Sequence, residues 1–391
     1  MSDSTHSSFR SQIGPLVFLV GIFFLNFLAR VILSPLMPAV EKDLKIGHGQ
    51  AGSLFFLISL GYCGGLLTSG FISSRLSHRK TIFLSSIAVG FGLMIVSASH
   101  NLWTIRSGLI FLGMAAGFYL PSGVATVADL VRPEHLGKAL AIHELAPNLA
   151  FVMAPLLAEA LLRLFSWQSV LLLAGIGSIV AGGIFIFWGK GGTFRGEAPD
   201  LKTWRSVVGG SSFWILIVLF CLGIGASFGL YSMIPLYLVS EKGMERTWAN
   251  TLLGLSRIST LISVLLAGWV TDRLGARWTL KAIFLANGLS TVIFGIVSGS
   301  WVVILLFIQP MIATCFFPAG FAALSRASSP RTRNVAISFI ASSGILLGGG
   351  AIPAGIGFVA ELGFFSFGVI LLGALLLAGV ILVQFLKFSN E

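Results

Sequence analysis

Ionisable side chains inside long apolar runs mark where this chain could do chemistry. They are Arg30, Arg257, Asp129 and the adjacent pair His143–Glu144. A charge at the centre of a membrane helix costs about 2.5–3.5 kcal/mol on insertion scales, so one retained there is expected to work. Arg30 lies roughly 22 Å into the first apolar run at a rise of 1.5 Å per residue. Arg257 lies roughly 16 Å before Gly268 by the same rise. Both are expected at middle depth, one in each half of the chain. Two deep arginines against the deep acid Glu144 leave a surplus of one positive charge, or two if His143 is protonated. A permanent surplus of that kind implies a visiting anion. A guanidinium suits a carboxylate, which it can meet with two parallel N–H donors. Phe23, Phe27, Phe118, Phe316 and Phe317 fall nearby and suit an anion with an apolar body.

Arginine stays charged, whereas Glu144 and His143 can exchange protons, which makes them the candidates for proton coupling. Asn148 lies four residues after Glu144, on the same helical face. Tyr119, Ser122, Thr126 and Asp129 follow at helical spacing as a polar stripe, and Asn26 shares a face with Arg30. Asp129, near the end of its run, is a further proton-coupling or gating candidate.

The elements that position these residues follow from composition. The chain is 56% apolar and 10% charged with a mean hydropathy of +0.96, against about 25% charged in soluble domains. That excludes a water-soluble fold and a disordered one. The net charge of +11 sits in short gaps between apolar runs, so it reads as membrane topology and not as a nucleic-acid surface. Cys63, Cys221 and Cys315 lie within apolar runs without metal-ligand spacing.

Twelve runs reach spanning length, roughly 15–40, 50–73, 81–99, 103–129, 138–163, 168–188, 213–239, 248–271, 279–297, 301–325, 334–360 and 364–387. They are continuously apolar, which predicts an all-α membrane protein and not a barrel. The expected organisation is a tail at 1–14, a six-helix bundle at 15–188, a linker at 189–212, a second bundle at 213–387 and a tail at 388–391. With the N-terminus in the cytoplasm, 17 of the 25 Lys and Arg residues fall on that side. The bias predicts that both termini are cytoplasmic.

An internal repeat ties the halves together. Gly70-Phe-Ile-Ser-Ser-Arg75-Leu-Ser-His-Arg79 recurs 198 residues later as Gly268-Trp-Val-Thr-Asp272-Arg273-Leu-Gly275-Ala-Arg277, and Pro155 recurs as Pro353. Such repeats are common in secondary transporters, whose site lies near the midplane between them.

These residues resemble the major facilitator superfamily. Its loop signature, Gly-x-x-x-Asp-Arg-x-Gly-x-Arg/Lys, is met by Gly268, Asp272, Arg273, Gly275 and Arg277. The first copy keeps Gly70, Arg75 and Arg79 but has Ser74 and Ser77 in place of Asp and Gly. The fifth helix carries Ala150-x-x-x-Ala154-Pro155-x-x-Ala158, with alanines where the family's exchangers have glycines. The fourth-helix Arg signature fails, since Leu109 precedes Gly113 at the required spacing. The resemblance implies twelve helices in two pseudo-symmetric six-helix bundles, alternating access, and gating by the loop residues. It also implies that Tyr231 and Gln309, in the seventh and tenth helices, line the cavity. Arg257 is similar to the eighth-helix arginine of monocarboxylate and oxalate carriers.

The resulting expectation is a monomeric multi-pass carrier of a small organic anion in a bacterial inner membrane, working as a proton symporter, with no cofactor. Its substrate-binding set is Arg257, Arg30, Tyr119, Asn26, Asn148, Gln309 and Tyr231. A proton-driven drug or metabolite exporter is the alternative. Enzyme motifs fail: Pro147 stands where a His-Glu-x-x-His helix needs its second histidine, and Gly183 to Lys190 has the wrong spacing for a phosphate loop.

Overall fold

A computed structural model describes residues 9–197, 210–327 and 333–388. Residues 1–8 and 389–391 of the expected tails and 198–209 of the expected linker lie outside them. All regular elements among the described residues are helical, and twelve helices are long and apolar enough to cross a membrane. They are α1 (Ser11–Leu44), α2 (His48–Leu76), α3 (His78–Ser97), α4 (Leu102–Leu130), α5 (Pro133–Leu162) and α6 (Trp167–Trp188), followed by α7 (Ser211–Glu241), α8 (Arg246–Leu274), α9 (Ala276–Ile296), α10 (Ser300–Ala327), α11 (Ala336–Glu361) and α12 (Phe365–Gln384). Each coincides with one predicted run. Several extend past the apolar stretch, as α1 does through Glu41-Lys42-Asp43, because helix hydrogen bonds do not require apolar side chains. Phe187, Leu265 and Trp103 are all more than 70% exposed, as lipid-facing side chains should be.

Many of these helices are not continuous, and the sequence explains where they break. The α-turns are interrupted at Ile32, Phe118, Glu144 and Cys315, each three residues before a proline (Pro35, Pro121, Pro147 and Pro318). Proline lacks the N–H for the preceding turn, and its ring crowds the carbonyl four residues back. α8 breaks at Ser259 without a proline. There Ser256, Ser259, Thr260 and Ser263 each bond the carbonyl three residues back, which bends a helix from within. α7 widens into π-turns at Gly225–Gly229 and Tyr237–Glu241, and α11 at Ile345–Ala351.

The chain forms two compact units. The first is Met1–Ile32, Leu60–Ala154 and Ala160–Pro199; the second is Leu33–Ser59, Pro155–Glu159 and Asp200–Glu391. The second unit therefore takes in the far end of α1, the start of α2 and one turn of α5. Within the first unit, α3 crosses α6 where Gly90 meets Gly175: a Cβ on Gly175 would stand 2.9 Å from the Gly90 carbonyl. Within the second, α9 crosses α12 where Gly288 meets Gly373, with 3.0 Å from a Cβ on either to the other's carbonyl. Both members of the second pair lie 198 residues after those of the first. Backbone contact at equivalent crossings is the repeat made visible in packing.

Candidate functional site

Three cationic or titratable side chains sit in the last turn before a helix break: Arg30 before Ile32, His143 before Glu144 and Arg257 before Ser259. A helix ending inside the bundle presents the negative end of its dipole there, which favours a cation. The breaks thus hold positive groups where a continuous apolar helix would not.

In the first unit Arg30 is 5% exposed. Its guanidinium carbon lies 3.5 Å from the centroid of the Tyr62 ring and 5.0 Å from that of Phe27. Tyr62 was not among the expected site residues, although its aromatic type and apolar run were visible. Asn26, one turn before Arg30, donates to Ser85 Oγ at 3.2 Å and to the Ala116 carbonyl at 3.3 Å, fastening α1 to α3 and α4.

Nearby, His143 is fully buried and stacks on Phe23 with ring centroids 4.5 Å apart. Its Nε2 lies 3.1 Å from the Tyr119 hydroxyl, which itself donates to the Leu19 carbonyl at 3.0 Å. With that hydroxyl hydrogen committed to Leu19, Nε2 must carry the hydrogen of the pair. Nδ1 then faces Glu144, whose Oε1 is 3.5 Å away, and makes no hydrogen bond. Glu144 departs from expectation: its side chain is 56% exposed, so it is not a deep acid. The break at Pro147 lets this residue turn outward. Asn148 donates from its side-chain amide to the Glu144 carbonyl at 2.9 Å, one turn back.

In the second unit Arg257 is 2% exposed. Its Nη2 donates to the Ser227 carbonyl at 3.4 Å, and its guanidinium carbon lies 4.7 Å from the centroid of the buried Tyr231 ring. Gln309 donates to the Ala226 carbonyl at 3.0 Å and to Asn287 Oδ1 at 3.2 Å. Ala226 and Ser227 both belong to the π-turn of α7. A π-turn loosens the helical ladder and often marks a functional position. Arg257, Tyr231 and Gln309, widely separated in sequence, therefore meet around one irregular turn. Asn287 and Ser227 joined them unforeseen, because small polar residues in an apolar helix carry no distinct signal.

Among the described residues, a buried acid is one that its position in the sequence did not single out. Glu159 on α5 is 4% exposed and is hydrogen-bonded by Arg246, Thr247 and Asn250 of α8. Its place near the end of an apolar run hid it.

The gating residues form matched turns. Gly275 has φ 80° and ψ 155°, and Ser77, at the equivalent place in the first copy, has φ 122° and ψ 159°. That region is essentially glycine's alone, so the first copy keeps the turn although it lost the glycine. Arg79 donates to the Ile186 carbonyl at 2.9 Å, and Arg277 to the Leu386 carbonyl at 2.6 Å. Each arginine thus ties down the end of its own half's sixth helix. Gly70 and Gly268 are partly buried, and Arg75 and Asp272 are exposed. Arg273 lies 4.3 Å from the Trp269 ring centroid. Asp129 is exposed and accepts from the Gly192 N–H at 3.1 Å, pinning the chain after α6.

Residues 19–262 match the model of the Major Facilitator Superfamily. A Na(+), Li(+), K(+)/H(+) antiporter of Planococcus maritimus is 23% identical over 320 residues, covering 73% of this chain and 74% of that protein. A probable nitrate transporter, NarT, of Staphylococcus haemolyticus is 23% identical over 300 residues, 75% and 74% of the two chains. Among solved structures, a bacterial homolog of the human lysosomal transporter Spinster, in an inward-facing and occupied conformation, aligns with a TM-score of 0.83 at 14% identity over 97% of both chains.

Proposed function

The chain belongs to the Major Facilitator Superfamily and is a multi-pass membrane transporter, not an enzyme; from that premise we propose that it carries a small organic anion, of the monocarboxylate kind, by alternating access. The observation that carries this reading is the pair of buried arginines, one per half, each in the last turn of a broken helix and each against a tyrosine ring. A guanidinium lying on an aromatic face turns its donor edge sideways, the geometry in which it meets a carboxylate. Neutral carbonyls such as that of Ser227 orient an arginine without cancelling its charge. Tyr119, Asn26, Asn148, Gln309 and Tyr231 orient the helices and side chains around these cations. A relative named for nitrate, another anion, is consistent with this.

Proton coupling is assigned to His143 and Glu144. An exposed carboxylate beside a buried imidazole nitrogen offers a proton a way in, with Nδ1 as the group that holds it. Asp129, which pins the linker, is a weaker candidate. Both termini face the cytoplasm of a bacterial inner membrane, and the chain acts as a monomer of two six-helix halves.

The relative named as an antiporter favours a second reading, proton-driven efflux. Purified protein in liposomes separates the two. A lactate gradient should drive flux that Arg257→Gln abolishes, while a cationic dye should not move. Dye flux that Arg257→Gln leaves intact, without lactate flux, would overturn the anion reading. For coupling, Glu144→Gln and His143→Gln should retain lactate exchange but lose accumulation driven by an acid outside. Unchanged accumulation in both would remove them from the mechanism.

A further inference from the structure

We propose that the Glu159–Arg246 pair is a latch that holds one end of the second unit shut and sets how often it opens. Counting spans, the α1–α2, α5–α6, α7–α8 and α11–α12 connections all fall on the side opposite the chain termini. At that side the turn of α5 carrying Glu159 packs in the second unit with the start of α8 and the far part of α1.

Both oxygens of the Glu159 carboxylate are satisfied twice. Oε1 accepts from Arg246 Nη2 at 3.2 Å and Thr247 Oγ1 at 3.0 Å. Oε2 accepts from Arg246 Nε at 3.2 Å and Asn250 Nδ2 at 3.2 Å. Asn250 also donates to the Pro35 carbonyl at 3.2 Å, which adds α1 to the clasp. Glu245 caps the start of α8 through the Thr247 and Trp248 N–H groups, holding the three donors in register. This carboxylate cannot part from α8 without losing four hydrogen bonds, two of them from the Arg246 guanidinium.

The repeat shows that this is a specific device and not a general feature of the fold. The 198-residue offset pairs Glu159 with Gly357, Arg246 with His48 and Asn250 with Gly52. Those counterparts also meet, where α11 crosses α2, but as bare backbone. A Cβ on Gly52 would lie 3.3 Å from the Gly357 Cα. There Glu361 adds one bond to the Gly49 N–H at 2.9 Å. Glycine seams slide with little electrostatic cost, whereas the charged seam must rehydrate two ions to open. The energetic gate therefore sits on the α5–α8 side. Removing only Arg246 leaves a buried carboxylate without its cation, which penalises the closed state strongly. Removing both charges lifts that penalty.

The test uses the full chain with its three cysteines replaced by alanine and spin labels at Lys42 and Trp248, both exposed and both in the second unit. Arg246→Gln should raise the ratio of long to short label separations at least ~10-fold, and Arg246→Lys by less. Glu159→Gln/Arg246→Gln should fall back below Arg246→Gln alone. Arg246→Lys keeps the charge and guards against a variant that fails to fold. Identical distance distributions in Arg246→Lys, Glu159→Gln/Arg246→Gln and the parent would overturn the latch. So would a double variant as open as the Arg246→Gln single. The outcome does not depend on which solute is carried.

Discussion

Arg257 and Ser77 show how far a single residue carries an argument here. Arg257 is a planar cation held by a main-chain carbonyl and a tyrosine face. A lysine at this position keeps the charge but lacks the fork that fits a carboxylate. Arg257→Lys should therefore lower lactate uptake at least ~10-fold, about 1.4 kcal/mol, without lowering the apparent Tm in detergent as a helix-packing residue would. Ser77 is a β-carbon forced into glycine's territory. Its hydroxyl accepts weakly from Lys80 N at 3.5 Å, a cap worth only a few tenths of a kcal/mol over glycine. Relief of the backbone strain, about 1–3 kcal/mol, outweighs that loss. Ser77→Gly should raise the apparent Tm, and Gly275→Ala should lower it by a comparable free energy.

Among elements, the broken helices matter most. Three of the breaks, at Ile32, Glu144 and Ser259, follow a basic side chain at the negative end of a half-helix, so that position, side chain and dipole agree there. Arg79 and Arg277 repeat the logic at the surface, donating to carbonyls at the ends of α6 and α12. Charged hydrogen bonds of this kind contribute about 1.5–3 kcal/mol. Arg277→Ala should loosen the end of α12, seen as faster amide hydrogen exchange at 383–386 with little change around α6. The cap on α8 is pH-dependent. Donation by the Thr247 N–H, first, holds the Glu245 carboxyl below the usual glutamate value. Since its folded value is depressed, the cap contributes fully above the free glutamate range and fades as pH falls through the lowered value. Glu245→Gln should remove that acid-side dependence from exchange at the start of α8.

Taken as one molecule, the chain is a duplicated unit whose two copies have diverged where function demands. The shared framework persists as glycine crossings at Gly90–Gly175 and Gly288–Gly373, as matched turns at Ser77 and Gly275, and as matched arginine ties. Divergence appears in the cations. The first half sets its arginine on the first helix and its tyrosine on the second, while the second half reverses them, with Tyr231 on α7 and Arg257 on α8. It appears again in the seams, one ionic and one of glycine.

Spans, repeat, gating turns and the two deep arginines were legible in the residues alone. Apolar length and a fixed offset are linear properties, and a bilayer makes them decisive. What the order of residues could not reveal was which acid is buried. Glu144 and Glu159 both lie in apolar runs of α5, yet a proline turns the first outward while α8 closes over the second. Tyr62, Asn287 and the α7 π-turn were equally unreadable, because burial and hydrogen-bond partnership belong to contacts between distant segments, and only folding brings those segments together.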